Sequence, residues 1–491
     1  MPEHGNDRAA RTGANTADAL QKDTQTGEAY LTDQQQFLNA IRESPDDLSR
    51  YTNFAAWLEK SGDPRGAFMN VQLRRIDKSL SPAESEELEE QKFLEFIEHL
   101  RDGQDGLTVL LLEGDDPDFD AFQTPSGFRV TGNGCTVDWR RGFIDTLEVE
   151  LLTPRIAYIL KHLPHVGMLR HLIVNGVPDR EDFEELNDLT KFDAGHKWNG
   201  DANAIFAMLQ GVEFENLRHF AVEDVTVSDT YTDSPPLRIM YPHDMYRSEQ
   251  ADVDPDDVDP DDIFPDDLEP DEIDPETGLA IPTAPDGCPP SRMRAENLSG
   301  LIKHMPRLES LILFTENLNH TDIFRLKMPH LKCLTAKTEV ESRLGEFPIR
   351  ILASNSSLTH LDSVSLFASD EDRWDEEPGW QEEIPSIHLD DLKAICRSQY
   401  LGSLANLSLY DSDFGDNGIV ELIESGRLRQ LKSLNLTYGE ITDDGAELLA
   451  TTDLSSLESL ILDQNRITKS GVKALQKTGV NLSAKWQRID V

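Results

Sequence analysis

The sequence predicts an α/β solenoid, with parallel strands lining a concave face and helices covering a convex face, preceded by a small all-α module. Three observations carry this expectation. One pattern of apolar residues recurs three times in phase near the C-terminus. Worn copies of the same pattern recede upstream to about Ile144. Residues 30–101 carry helix signals without strand alternation.

The regular copies begin at Leu404, Leu431 and Leu457, which lie 27 and 26 residues apart. Each reads L-x-x-L-x-L-x-x-(N/S/G)-x-(I/F)-x-x-x-G-x-x-x-L, as in Leu457, Leu460, Leu462, Asn465, Ile467, Gly471 and Leu475. The L-x-x-L-x-L part alternates as a short strand with one buried face, and G-x-x-x-L has helical spacing. One such unit cannot bury its apolar face alone, so stacked copies must share a core. The pattern resembles a leucine-rich repeat of the long, ribonuclease-inhibitor-like kind.

Residues 1–29 lack apolar periodicity and are read as a disordered tail. In the helical module, Ser44-Pro45-Asp46-Asp47 reads as an N-cap, a proline at the first helical position and acids in the first turn. Gly62 is a natural helix stop, and Asp63-Pro64 repeats the cap-plus-proline device. Met69, Leu73, Ile76 and Leu80 form an amphipathic stripe. Ser81-Pro82-Ala83-Glu84 is a capping box.

The stretch Phe37-Leu38-x-Ala40-Ile41, Pro45-Asp46-Asp47, Trp57-Leu58-Glu59 and Gly62-Asp63-Pro64-Arg65-Gly66-x-Phe68 with Gln72 resembles the bacterial repeat-companion domain. Ala56 and Ala67 replace the usual Asp and Glu of that motif. The resemblance implies a bacterial protein carrying a repeat array, and no enzymatic activity. Trp139-Arg140-Arg141-Gly142-Phe143 resembles the junction that follows this domain, so residues 102–150 are read as a junction and N-terminal solenoid cap.

Degenerate repeats follow over 151–229, at Leu169-x-x-Leu172 and Leu217-x-x-Phe220, with an irregular unit around Leu186 and Leu189 between them. The series resumes over 296–491, at Leu308, Leu331 and Leu361, and runs into the regular copies and a C-terminal cap holding Lys485 and Trp486. Two acidic breaks interrupt it. Within 230–295, five pentapeptides run from Asp252 to Glu276, each reading acid-aliphatic-x-Pro-acid. Proline at every fifth residue forbids a regular helix, and like charges extend the chain, so this insert is read as disordered. The loop at about 368–388 holds Trp374 and Trp380 among acids, which either pack on the repeats or anchor a partner.

The chain has 491 residues and a formal net charge of −46. Such a charge repels phosphates and anionic lipid, which argues against nucleic-acid and membrane partners. Four dispersed cysteines form no zinc spacing, the N-terminus shows no apolar signal core, and no apolar run is long enough to span a bilayer. The expectation is a cytoplasmic monomer. No phosphate-binding loop, dinucleotide fingerprint, H-E-x-x-H or G-x-S-x-G is present. His162-x-x-His165 reads as a helix end around Pro164 rather than a metal site. No catalytic, cofactor-binding or metal residue is therefore assigned.

Binding is expected on the concave face, where the third, fifth, seventh and eighth positions of each unit point away from the core. The candidate partner-binding residues are Tyr410, Asp411, Asn435, Tyr438, Asp463 and Gln464, with Trp374 and Trp380 of the acidic loop. Ser310, Ile312, Phe314 and Thr315 occupy the same places upstream. Tyrosine supplies contact area at low entropy cost, so Tyr410 and Tyr438 are the anchors. The expected function is a protein-interaction scaffold. The alternatives are a regulator of an enzyme such as a small GTPase, or an acidic mimic of nucleic acid that binds a basic protein.

Overall fold

A computed structural model describes residues 33–102, 120–124, 127–132, 134–163, 165–176, 202–222, 298–314, 320–339, 348–369 and 387–488. The acidic insert, the irregular unit at Leu186 and Leu189, the N-terminal tail, Thr315 and the loop with Trp374 and Trp380 lie outside these residues.

Four helices open the described chain: α1 (residues 33–43), α2 (Leu48–Ser61), α3 (Pro64–Ile76) and α4 (Pro82–Asp102). Their boundaries follow local chemistry. Gly62 stops α2 in the left-handed conformation, φ 79°, where no Cβ penalty applies. The Asp63 side chain accepts from the Arg65 amide and Pro64 opens α3. Ser81 and Glu84 exchange the bonds of a capping box at the start of α4. One expectation needs correction. Helix α2 starts at Leu48, capped by Asp47 rather than Ser44. Pro45 and Asp46 sit in the preceding turn, free to serve partners far along the chain.

A single sheet of thirteen strands, in sequence order, follows. Strands β1 (Asp120–Gln123), β2 (Phe128–Gly132), β3 (Cys135–Arg140) and β4 (Phe143–Val149) pair antiparallel. From β4 onward every pairing is parallel: β5 (His171–Val174), β6 (His219–Val222), β7 (Ser310–Phe314), β8 (Cys333–Glu339) and β9 (Ser363–Ser369). Strands β10 (Asn406–Tyr410), β11 (Ser433–Asn435), β12 (Ser459–Ile461) and β13 (Asn481–Ser483) complete it. Parallel neighbours need a crossover, and helices supply it. These are α5 (Pro154–His162), α6 (Ala202–Met208), α7 (Ser299–Ile302), α8 (His320–Arg325) and α9 (Ile349–Ser354). Then come α10 (Leu389–Arg397), α11 (Gly415–Glu424), α12 (Asp443–Thr451) and α13 (Lys469–Gln476).

The large break in the sequence does not break the sheet. Phe220 of β6 lies in register with Leu311 of β7, although residues 223–309 separate the two strands. Each unit is tied to the next by the same bond pair. The Lys432 carbonyl accepts from the Glu458 and Ser459 amides, and those of Ala405, Asp362, Lys332 and Glu309 repeat the arrangement upstream. Inside, Leu407, Leu434 and Leu460 stack in register and are buried. Transfer of such a side chain from water stabilises by roughly 1.5–3 kcal/mol.

The regular units carry one more staple. The Asp416 carboxylate accepts from the Thr442 amide (2.9 Å) and hydroxyl (2.7 Å) of the following unit. Asp443 does the same for Thr468, at 2.8 and 2.6 Å. Each threonine in turn caps its own helix. The next residue in this series is Lys469, so the staple ends there.

The helical module and the sheet share one core. Tyr51, Phe54, Leu58 and Met69 pack with Phe143 of β4 and Met168. Phe54 and Phe143 stack with ring centroids 6.0 Å apart. Alongside, α4 sets Phe93 against Phe128 (4.5 Å) and Phe96 edge-on to Trp139 (5.2 Å). The Arg65 guanidinium lies over the Phe96 ring, so this residue serves packing. Gln72 of α3 is 1 % exposed. Its amide donates to the Trp139 carbonyl (3.0 Å) and accepts from the Gly142 amide (2.8 Å), fixing the β3–β4 turn to the module. Gly142 has φ 74°, and a Cβ there would overlap Cγ of Met69.

Candidate functional site

A strand with one buried face shows its odd positions to the other side. The third-position column runs through His171, His219, Ser310, Cys333, Ser363, Asn406, Ser433, Ser459 and Asn481 in register. The fifth-position column includes Ala221, Ile312, Thr335, Ser365, Ser408, Asn435, Ile461 and Ser483. Exposure changes along these columns. His171, Ile173 and Ser310 are half-exposed, His219, Ala221 and Ile312 are buried, and from Cys333 through Ser459 and Ile461 every residue of these two columns is half-exposed. The longest unbroken open stretch of the concave face therefore begins at β8.

Its floor is small and polar, and one margin is aromatic. Phe367 and Tyr410 are in register at the seventh position, with ring centroids 5.7 Å apart. Tyr410 meets Tyr438 edge-on at 5.2 Å. Both Phe367 and Tyr410 are half-exposed. Tyr438 is not displayed as an anchor. It is 7 % exposed, beneath the Arg488 guanidinium at 5.0 Å from its ring. Glu440 holds Arg488 and also Arg466.

The eighth position behaves as a turn. Asp411, Tyr438, Gln464 and Trp486 all have positive φ, at 64°, 55°, 56° and 50°. This left-handed step takes the chain out of the strand. Several candidate residues are occupied by the scaffold. Asn435 accepts from the Thr437 amide (3.0 Å) and hydroxyl (2.6 Å). Asp463 accepts from the Ser483 hydroxyl (2.8 Å) and the Lys485 amide (2.7 Å). At Gln464 it is the backbone carbonyl, not the side chain, that accepts from Arg488 Nε (2.9 Å). Tyr410 and Asp411 remain half-exposed on the open face. Trp374 and Trp380 lie outside the described residues.

Two aromatic residues were missed by sequence reasoning. Phe367 is the seventh residue of the Leu361 unit, so the same counting rule reaches it. Trp486 occupies the column of Gln464, but its unit lacks the leucine pattern that would reveal the register.

A charged margin lies at the second position of the early units. The Pro45 carbonyl accepts from Tyr51 (2.9 Å), Arg141 (3.0 Å) and Arg170 (2.8 Å). The Asp46 carboxylate pairs with Arg218 at 2.8 Å and Arg170 at 3.3 Å. The Arg218 hydrogen bond lowers the Asp46 pKa. Burial opposes the Asp145 carboxylate, but the His171 hydrogen bond and the Arg170 charge outweigh it and hold its pKa down. Burial pushes His219 down to about 4, with the neighbouring His171 adding to the effect.

This cluster is not arranged for nucleophilic catalysis. Thr146 and Asp145 both approach the same His171 nitrogen, Nδ1, at 3.1 and 3.5 Å, so no relay runs through the ring. Among the described residues no group of His, Cys, Asp and Glu is placed to hold a metal ion. Burial raises the thiols of Cys135 and Cys396 to about 12 and about 11, which suppresses thiolate chemistry. No described helix is long and apolar enough to cross a membrane.

Comparison with known proteins bears on the regular units. The leucine-rich-repeat family model matches residues 428–450 and 453–475, two successive strand–helix units. These units are leucine-rich repeats. No curated protein matches the chain. A crystal structure of a Bacteroides fragilis protein, determined as a structural-genomics target, is similar over 68 % of this chain and 69 % of its own, at 15 % identity and a TM-score of 0.38. Leucine-rich repeats generally mediate protein–protein interaction.

Proposed function

We propose that the chain is a non-enzymatic scaffold that holds a partner protein on the open concave face of its leucine-rich repeats. The observation that carries this reading is the exposure pattern: a floor of small polar side chains from Cys333 to Ile461, edged by Phe367 and Tyr410. Small residues let a partner approach the sheet closely. Rigid aromatics supply contact area without a large ordering cost. Asp411, beside Tyr410, adds a carboxylate at the same margin. The repeat-companion resemblance supports a bacterial protein, and the sequence supports a cytoplasmic monomer with no nucleic-acid partner.

The test compares full-length wild type with Phe367→Ala/Tyr410→Ala as immobilised baits, with bound proteins quantified by mass spectrometry. Aromatic truncation at an interface centre costs about 2 kcal/mol or more, a loss of at least tenfold in capture. A partner retained equally by both baits overturns the concave-face reading.

A further inference from the structure

The last turn of the array reverses the charge of the chain. Overall, 92 Asp and Glu face 46 Lys and Arg. From Arg466 to Arg488, however, there are six Lys or Arg and no Asp or Glu. Arg466 and Arg488 share the single carboxylate of Glu440 in the preceding unit. Lys469, Lys473, Lys477 and Lys485 are exposed and make no ion pair among the described residues.

The same turn holds the outer strand of the sheet. Among the described residues β13 pairs with β12 alone. Leu482 is half-exposed, although its register partner Leu460 is fully buried. Four residues on, Trp486 is 55 % exposed, the most of any large apolar side chain described, and Lys485 Nζ lies 5.7 Å from its ring centroid. The positive φ at Trp486 belongs to the repeat turn, so the ring is presented by the backbone rather than by a loose end.

We propose that this terminal surface docks an extended acidic segment of a partner protein, which adds as a strand to β13. Its backbone would pair along the outer edge, an apolar side chain would cover Leu482 and Trp486, and its carboxylates would lie among the four lysines. Charge decides between occupants. Lys485, two residues beyond β13, and the cationic last unit as a whole oppose pairing with a like edge, so a second copy of this chain is disfavoured. They attract an acidic strand, and at physiological ionic strength the acids elsewhere on the chain are screened beyond about 8 Å. Nucleic acid would find the cations but could not use the strand edge. This surface is separate from the Phe367–Tyr410 margin, and either can hold without the other.

The probe is a fluorescein-labelled peptide of alternating valine and glutamate, titrated with the full-length protein and followed by anisotropy. Saturable binding is expected, weakening steeply as salt rises. Lys477→Glu/Lys485→Glu and Trp486→Ala should each weaken it about tenfold. Unchanged thermal melting would show that both variants fold. A probe N-methylated at alternate amides should lose binding, because strand pairing needs those donors. Phe367→Ala/Tyr410→Ala should leave the peptide affinity unchanged, which separates this surface from the concave one. Equal binding of a glutamate-only peptide or of oligothymidylate, or retention by the N-methylated probe or by the lysine and tryptophan variants, overturns the proposal.

Discussion

At the N-terminal end of the sheet, a helical module closes the core through Phe143 and Met168, and Gln72 and Pro45 fasten it with bonds that reach far along the sequence. At the C-terminal end, β13 has one neighbour in the sheet among the described residues, and Leu482 is half-exposed. The repeat helices differ along the array as well. Helix α5, nearest the module, has 9 residues, α7 to α9 of the middle units have 4 to 6, and α10 to α13 have 8 to 10. The carbonyl pair runs through all the parallel units from Arg170 to Lys432, whereas the Asp–Thr staple is confined to the regular ones. The first units add contacts from a separate module. The open end of a repeat core can thus be closed by an element that is not itself a repeat.

That contrast can be broken most decisively at Phe143. Phe143→Ala should cost about 3–5 kcal/mol, as large-to-small changes in a packed core do. Hydrogen exchange should rise in residues 33–102 and 134–176 together while 404–476 stays protected. Independent protection of the module would show that the shared core does not couple the two parts. The opposite-end control is Leu460→Ala, expected to cost about 2–4 kcal/mol with exchange rising only in the last two units.

Acid should distinguish the ends as well. The folded pKa of His219, about 4, lies below the ordinary histidine value near 6.5. The unfolded chain therefore binds the proton more readily in that interval, and stability falls as the pH drops from about 6.5 toward 4. The loss is on the order of 3 kcal/mol. His219→Gln should flatten the urea midpoint over this range, and an unchanged slope would remove His219 as the cause. The smallest effect is expected at Asp46, which is largely exposed. Asp46→Asn should cost below about 1 kcal/mol and should lose its effect at high salt, read from the same melts.

The parts legible in the sequence are those set by local spacing. Leu404, Leu407 and Leu409 announce a strand because their alternation is itself the burial pattern. Gly62 and Asp63 announce a helix stop and start because each acts on its own backbone. Pro45 and Asp46 were legible as helix-start residues, but their partners Arg170 and Arg218 lie in distant repeats, and no local rule links them. Tyr438 looked like an anchor because strand counting was carried through the eighth position. There the backbone turns left-handed and the alternation ends. Trp486 was hidden for a related reason: β13 has only Leu482 in the core row, too little to set its register without the neighbouring strand.

The pairing of β6 with β7 across residues 223–309 has a kinetic consequence. Typical connections between units here are roughly a third as long, and loop closure scales as 1.5RT ln n, so this junction costs only about 1 kcal/mol more than its neighbours. Among neighbouring strands it closes the longest connection, and each flank can form from nearby residues first. The molecule thus has a natural seam. Two polypeptides divided within 223–297 would each keep whole units, and mixing them should restore one sheet without a covalent link.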